Sequence, residues 1–147
     1  MSTIHASAVL VGARAVLIRG AAGAGKSSLA YALIRAADTG ALVLARLVGD
    51  DRVHVEAAHG RLLVRPAEAL SGLIELRGLG IRRLGYEPLP QVGLVVDLAA
   101  ADAARLPERA SAATEVAGVT LPRLGVASGT DPVSLVIAAL RTQESRA

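Results

Sequence analysis

Residues Gly20-Ala21-Ala22-Gly23-Ala24-Gly25-Lys26-Ser27 carry a glycine, four residues, a second glycine, a lysine and a serine. That order suits a loop that holds phosphate. Glycines let the backbone fold around an anion with N–H groups turned inward. A helix starting behind the loop adds its positive end. Lys26 would reach the β- and γ-phosphates of a nucleotide, and the Ser27 hydroxyl would bind Mg²⁺. Ser28 completes the nucleotide-contacting stretch. Lys26 is also the only lysine among 16 basic residues, so its position is informative.

Carboxylates decide what such a loop does with its nucleotide. Asp50 and Asp51 follow an apolar run, Ala41 to Val48. A carboxylate at the end of a strand beside a phosphate loop can approach the metal or orient a nucleophile. Adjacent residues of a regular strand point to opposite faces. One aspartate is therefore expected to face the phosphates while the other supports the loop or meets the substrate. Glu75 and Arg77 stand two apart, hence on one strand face, and Gly78 and Gly80 follow. A carboxylate for Mg²⁺ beside a guanidinium for a phosphoryl oxygen suits phosphoryl transfer. His5 precedes the first strand. His54 and His59 fall in a polar hairpin and receive no role, and three histidines without clustered acids make no metal site.

These residues need a frame of alternating strands and helices. Ala8 to Val11 and Arg14 to Arg19 read as a hairpin turning at Gly12. From Lys26 to Ala37 the apolar residues Leu29, Ala32, Leu33 and Ala36 recur at helical spacing, with Gly40 beyond the end. Ala41 to Val48 reads as a buried strand. Arg52 to Glu56 and Arg61 to Arg65 alternate about His59-Gly60, the pattern of a second hairpin with one wet face. Gly72 to Leu76 and Val92 to Leu98 are further strands, with Arg77 to Tyr86 between them read as loop. Asp131 to Thr142 is a last helix, with Thr130 or Asp131 as N-cap and Pro132 in its first turn. Its apolar stretch Val133 to Leu140 is either core or an interface, and core is the preferred assignment. The reading is one α/β domain over residues 1–147.

Composition narrows the function. Of the 147 residues, 52% are hydrophobic and 20% charged, which is globular rather than disordered. The sequence pI of about 10.2 points at first to nucleic acid. Yet the net charge is only +3, no basic run occurs, and Tyr31 and Tyr86 are the only aromatic residues. No stacking platform or polybasic arm is present, so nucleic acid is not the expected partner. No apolar run is long enough for a membrane span, and the first residues lack the basic start and apolar stretch of a signal peptide. The lack of cysteine excludes thiolate metal sites and thiol nucleophiles and fits a cytoplasmic location.

Taken in order, His5, the loop Gly20 to Ser27, Leu47-Val-Gly-Asp-Asp-Arg-Val53 and Ile74-Glu-Leu-Arg-Gly-Leu-Gly-Ile81 resemble the C-terminal catalytic domain of HPr kinase/phosphorylase. The resemblance covers roughly residues 3–85 well and the rest weakly. It implies a phosphate-loop kinase fold related to phosphoenolpyruvate carboxykinase, and ATP- and Mg²⁺-dependent phosphorylation of a serine on HPr, the phosphocarrier of the sugar phosphotransferase system. It also implies a reverse reaction that uses inorganic phosphate and yields pyrophosphate, and a homo-oligomer, since longer members form hexamers. Carried over by position, Lys26 holds the β- and γ-phosphates, and Ser27 and Glu75 bind Mg²⁺. Asp51, with Asp50 as the alternative, is the general base. His5 lies near the phosphates, and Arg77 belongs to the signature segment.

The sequence departs from the family pattern in three places. His5 stands almost at the start, which resembles a short form without the N-terminal domain, serving regulation rather than sugar uptake. The family's Pro-Val-Arg-Pro-Gly-Arg segment, tied to the reverse reaction, corresponds to Pro122 to Thr130, where only Arg123 remains. The glutamate usual after the loop serine is Ser28. A further family arginine corresponds to Arg105 or Arg109, and spacing does not choose between them. Two other readings use the same residues. One is a nucleotide-binding regulator that reports to a partner such as a sensor kinase. The other is a small-molecule kinase, with Arg77 to Arg83 serving as its lid.

Overall fold

The computed structural model describes residues 2–142. Its centre is a six-stranded mixed sheet formed by β2 (Ala6–Val11), β3 (Arg14–Arg19), β4 (Ala45–Gly49), β9 (Val92–Leu98), β10 (Ala113–Val116) and β11 (Val119–Val126), in the order β10-β11-β9-β3-β2-β4. β3, β9 and β11 run parallel, and β2 is antiparallel to both β3 and β4. β3 lies inside the sheet and is covered on both faces, so its residues Ala15 to Ile18 are all apolar. Val16 and Ile18 face the helices α1 (Lys26–Asp38) and α2 (Pro132–Arg141). Ala15 and Leu17 face a three-stranded sheet of β1 (Ser2–Ile4), β5 (Val53–Ala58) and β6 (Arg61–Pro66). Two cores thus sandwich the main sheet. A two-stranded ribbon, β7 (Leu73–Leu76) and β8 (Gly80–Arg83), stands apart from both sheets.

The phosphate-loop hairpin, α1, the polar hairpin, β9 and α2 lie where the sequence predicts them. His59 and Gly60 both take positive φ, 52° and 75°, in the two-residue turn between paired Ala58 and Arg61. The Asp131 carboxylate accepts from the Val133 N–H at 3.0 Å and caps α2. Val136 of that helix is fully buried, and Val133, Ile137 and Leu140 pack on the helix-side core, as assigned.

Four expectations are corrected. His5, expected before the first strand, follows β1, which pairs with β5 across the chain, and so lies between β1 and β2. The strand expected from Ala41 begins only at Ala45. The preceding residues are still finishing α1: Gly40 takes φ 84°, and the Ala41 and Leu42 N–H groups donate to Ala36 O at 2.9 and 3.2 Å. The segment 77–86, expected to be loop, contains β8, paired antiparallel with β7. The stretch before α2 contains a hairpin, β10 and β11, that the sequence reading lacks.

Candidate active site

The phosphate loop joins the end of β3 to α1. Gly25 is the N-cap of α1 at φ 103°, and Gly23 sits at φ 83°, both in the left-handed region that favours glycine. The loop opens onto a cavity of about 500 Å³. The cavity lining includes Lys26, Ser27 and Ser28 from the loop and first turn, Asp51 from the end of β4, and Glu75 and Arg77 from the ribbon. Ala22 and Gly23 also line it, while Gly20, Ala21 and Ala24 support the loop from outside the lining.

The two aspartates face different ways, as expected, but both lie past the end of β4, so the left-handed backbone of Asp51 and not strand alternation separates them. Asp50 is 4% exposed and lies beneath the cavity rather than in its wall. Its Oδ1 accepts from the Ser7 hydroxyl at 2.7 Å and the Ser27 hydroxyl at 2.6 Å. Its Oδ2 accepts from the Glu75 N–H at 3.0 Å, which ties the ribbon to the loop. Because the Ser27 proton is committed to Asp50, the lone pairs of Ser27 remain available as acceptors. Asp51 is exposed to the cavity and takes φ 64°. Its N–H donates to Ser7 Oγ at 3.1 Å. Gly49, just before the pair, has no room for a side chain: a Cβ would sit 2.7 Å from Val53 Cγ1 and 3.1 Å from Pro66 Cα.

Two buried charges of opposite sign lie here without counter-ions. Lys26 is 6% exposed, and among the described residues its ammonium donates only to the carbonyls of Gly20 at 2.8 Å and Ala21 at 3.2 Å. Asp50 receives only neutral donors, and neither residue forms an ion pair among the described residues. Burying unpaired charge is costly unless a ligand supplies the partner. A phosphate group beside Lys26 and a divalent cation beside Ser27 and Glu75 fit this pattern.

His5 lies outside the cavity lining, with its Nε2 3.4 Å from a guanidinium nitrogen of Arg52, the residue after Asp51. Of the three late arginines, none lines the cavity, and Arg105 and Arg109 are exposed. Arg123 is fully engaged. It donates to Asp97 at 2.6 Å, to both Asp102 oxygens at 2.9 Å and to Ser111 O at 2.9 Å. Asp97 also binds Arg19, the residue before the loop, at 2.7 and 2.8 Å. This network clamps the ends of β3, β9 and β11 under the loop.

Burial raises the Asp97 pKa, but the hydrogen bonds and charges of Arg19 and Arg123 outweigh it and hold the carboxyl below its ordinary value. A depressed carboxylate contributes stability above its unfolded pKa, and loses it as pH falls through the folded one. The fold is therefore expected to weaken on acidification below about pH 4. Asp97→Asn should cost about 2 kcal/mol at neutral pH and flatten the acid limb of a melting-temperature profile. That is less than for a fully buried pair, because Arg19 remains 30% exposed and Arg123 keeps Asp102. An unchanged acid limb in the variant would show that the clamp contributes nothing.

The sequence reading missed Ser7, Arg19 and Asp97. Ser7 left one signal, a polar residue inside the apolar strand Ala6-Ser7-Ala8-Val9.

Against this geometry, the family model described as HPr Serine kinase C-terminal domain matches residues 1–146. The chain belongs to the HPr serine kinase family. Among its relatives, an HPr kinase/phosphorylase of Limosilactobacillus reuteri is 32% identical over 136 residues, covering 84% of this chain and 40% of the relative. An HPr kinase/phosphorylase of Halalkalibacterium halodurans is 29% identical over 136 residues, covering 85% and 42%. One from Streptococcus thermophilus is 41% identical over 81 residues, covering 54% and 24%. The chain thus spans less than half the length of these curated relatives. The solved Hpr(Ser) kinase/phosphatase of Coxiella burnetii superposes with a TM-score of 0.76 at 23% identity, covering 96% of this chain and 95% of that one. That likeness supports the α/β phosphate-loop fold of the HPr serine kinase family. No helix among the described residues is long and apolar enough to cross a membrane.

Proposed function

We propose that this chain transfers the γ-phosphoryl group of ATP to a serine hydroxyl of an HPr-like phosphocarrier protein. The observation that carries this reading is the pair of buried, oppositely charged side chains at the phosphate loop, Lys26 and Asp50, each without a counter-ion among the described residues. The loop N–H groups and Lys26 bind the β- and γ-phosphates. Ser27 and Glu75 hold Mg²⁺, which when bound neutralises charge on the transferring phosphate. Asp50 orients Ser27 through the 2.6 Å hydrogen bond. Asp51 accepts the proton of the acceptor serine as its oxygen bonds to phosphorus and ADP leaves. Arg77 stabilises a phosphoryl oxygen at the cavity mouth. His5 supports Asp51 through neighbouring Arg52. Among the described residues Arg123 is committed to Asp97, Asp102 and Ser111, so the proposal is confined to the forward reaction.

The test is transfer from labelled ATP with Mg²⁺ to HPr of the same organism. The expected product is acid-stable phosphoserine, lost in Lys26→Ala. Tight nucleotide binding with no label on HPr would replace this reading with a nucleotide-reporting role.

A further inference from the structure

The ribbon carries an apolar tip that its own fold does not cover. Leu79 is 62% exposed and Ile81 70% exposed, although the base of the same ribbon is anchored by fully buried Ile74. Exposed apolar residues in a cluster mark contact surfaces more than isolated ones do. The ribbon also carries Arg77 at its turn and Arg82 and Arg83 toward its base, opposite Ile74 and Leu73; all three are exposed, and none makes a hydrogen bond or ion pair with a described residue. Against these three guanidinium groups stands one carboxylate, Glu75. The position is as informative as the composition. Gly78 and Gly80, on either side of Leu79, line the cavity, and Ile81 is the direct cross-strand partner of Glu75.

We infer that the exposed side of the β7–β8 ribbon is the docking surface for the protein acceptor, holding an apolar patch edged with carboxylates beside the serine to be modified. The inference rests on the kinase reading above and names the surface that reading lacks. A second copy of this chain is a poor occupant. Two ribbons meeting symmetrically would oppose their own arginines, and the whole chain is already at +3. An acceptor with acidic edges is attracted to the same arginines and steered toward the cavity mouth. Leu79 and Ile81 then supply the short-range contact.

The experiment uses the full chain, HPr as probe, and two double variants, Leu79→Ser/Ile81→Ser and Arg82→Glu/Arg83→Glu. The exposure of these side chains predicts melting temperatures like wild type, and a fluorescent ATP analogue should bind unchanged. The KM for HPr, and the Kd for HPr titrated without nucleotide, should both rise at least about tenfold. The arginine variant, with its patch reversed in sign, should also reverse the salt dependence of HPr binding. Unchanged KM and Kd with wild-type transfer intact would overturn the docking surface and leave the kinase standing. HPr binding without transfer, lost in the variants, would keep the surface and overturn the kinase. A wild-type chain that neither binds nor modifies HPr would sink both. Variants that change only the oligomeric state would assign the ribbon to self-association and overturn the inference.

Discussion

Asp51→Asn is expected to lower serine phosphorylation by about 10²–10⁴-fold, the usual worth of a positioned general base. Nucleotide affinity should stay within a few-fold and the melting temperature should not move. The choice of asparagine follows from the backbone. Asp51 sits at φ 64°, a region that asparagine enters far more readily than alanine. The Asp51 N–H bond to Ser7 is made by the main chain, so it survives the substitution. Asparagine keeps the shape and removes only the proton-accepting charge. Single-turnover transfer to HPr, with nucleotide binding and melting followed in parallel, checks this. Transfer at the wild-type rate would remove Asp51 from the base role.

Its neighbour should behave in the opposite way. Asp50→Ala strips acceptors from the Ser7 and Ser27 hydroxyls and the Glu75 N–H in one step. Hydrogen bonds to a charged group contribute more than neutral ones, and buried groups left unpaired add their desolvation cost. The expected loss is about 3 kcal/mol, or about 10 °C in melting temperature for a chain of this size. Transfer should disappear as well, because Ser27 loses the partner that orients it and the ribbon loses its tie to the loop. Asp50→Asn should fall between, since an amide can accept from the two serines but presents N–H to the Glu75 N–H. Thermal melts of the two aspartate series decide the matter. An Asp50→Ala protein as stable as wild type would refute the buried support role.

What the sequence shows and what it hides divide by range. The loop, α1 and the hairpin at His59-Gly60 are written in consecutive residues, so they can be read directly. The division of labour between Asp50 and Asp51 is expected from strand alternation, but both lie past the end of β4, and the left-handed backbone of Asp51 produces it instead. The ribbon partner β8 is hidden because Gly78, Gly80 and three arginines look like loop. Pairing with β7, rather than local propensity, makes it a strand. The β10–β11 hairpin is hidden by Pro122, which argues against a strand interior. It is tolerated because Pro122 pairs with Ala113, the outermost pair of that ladder. Ser7 becomes part of the site only because β2 pairs with β4, with a register shift between Ala8 and Val9. No spacing along the chain reports that contact. The same holds for Arg19, Asp97 and Arg123, which lie 78 and 26 residues apart as bonded pairs.

The Lys26 ammonium, held by the Gly20 and Ala21 carbonyls, makes the loop its own first occupant. An incoming anion finds one ammonium N–H that neither carbonyl holds, but it takes the whole charge only by displacing both oxygens. Each is a charge-assisted bond, so the threshold for displacing both is on the order of 3–6 kcal/mol. A single small anion that meets only Lys26 merely exchanges one partner for another. A polyphosphate that also engages the loop N–H groups clears the threshold and keeps the surplus. Selectivity against the abundant small anions of a cell is thereby set by the empty loop as much as by the filled one.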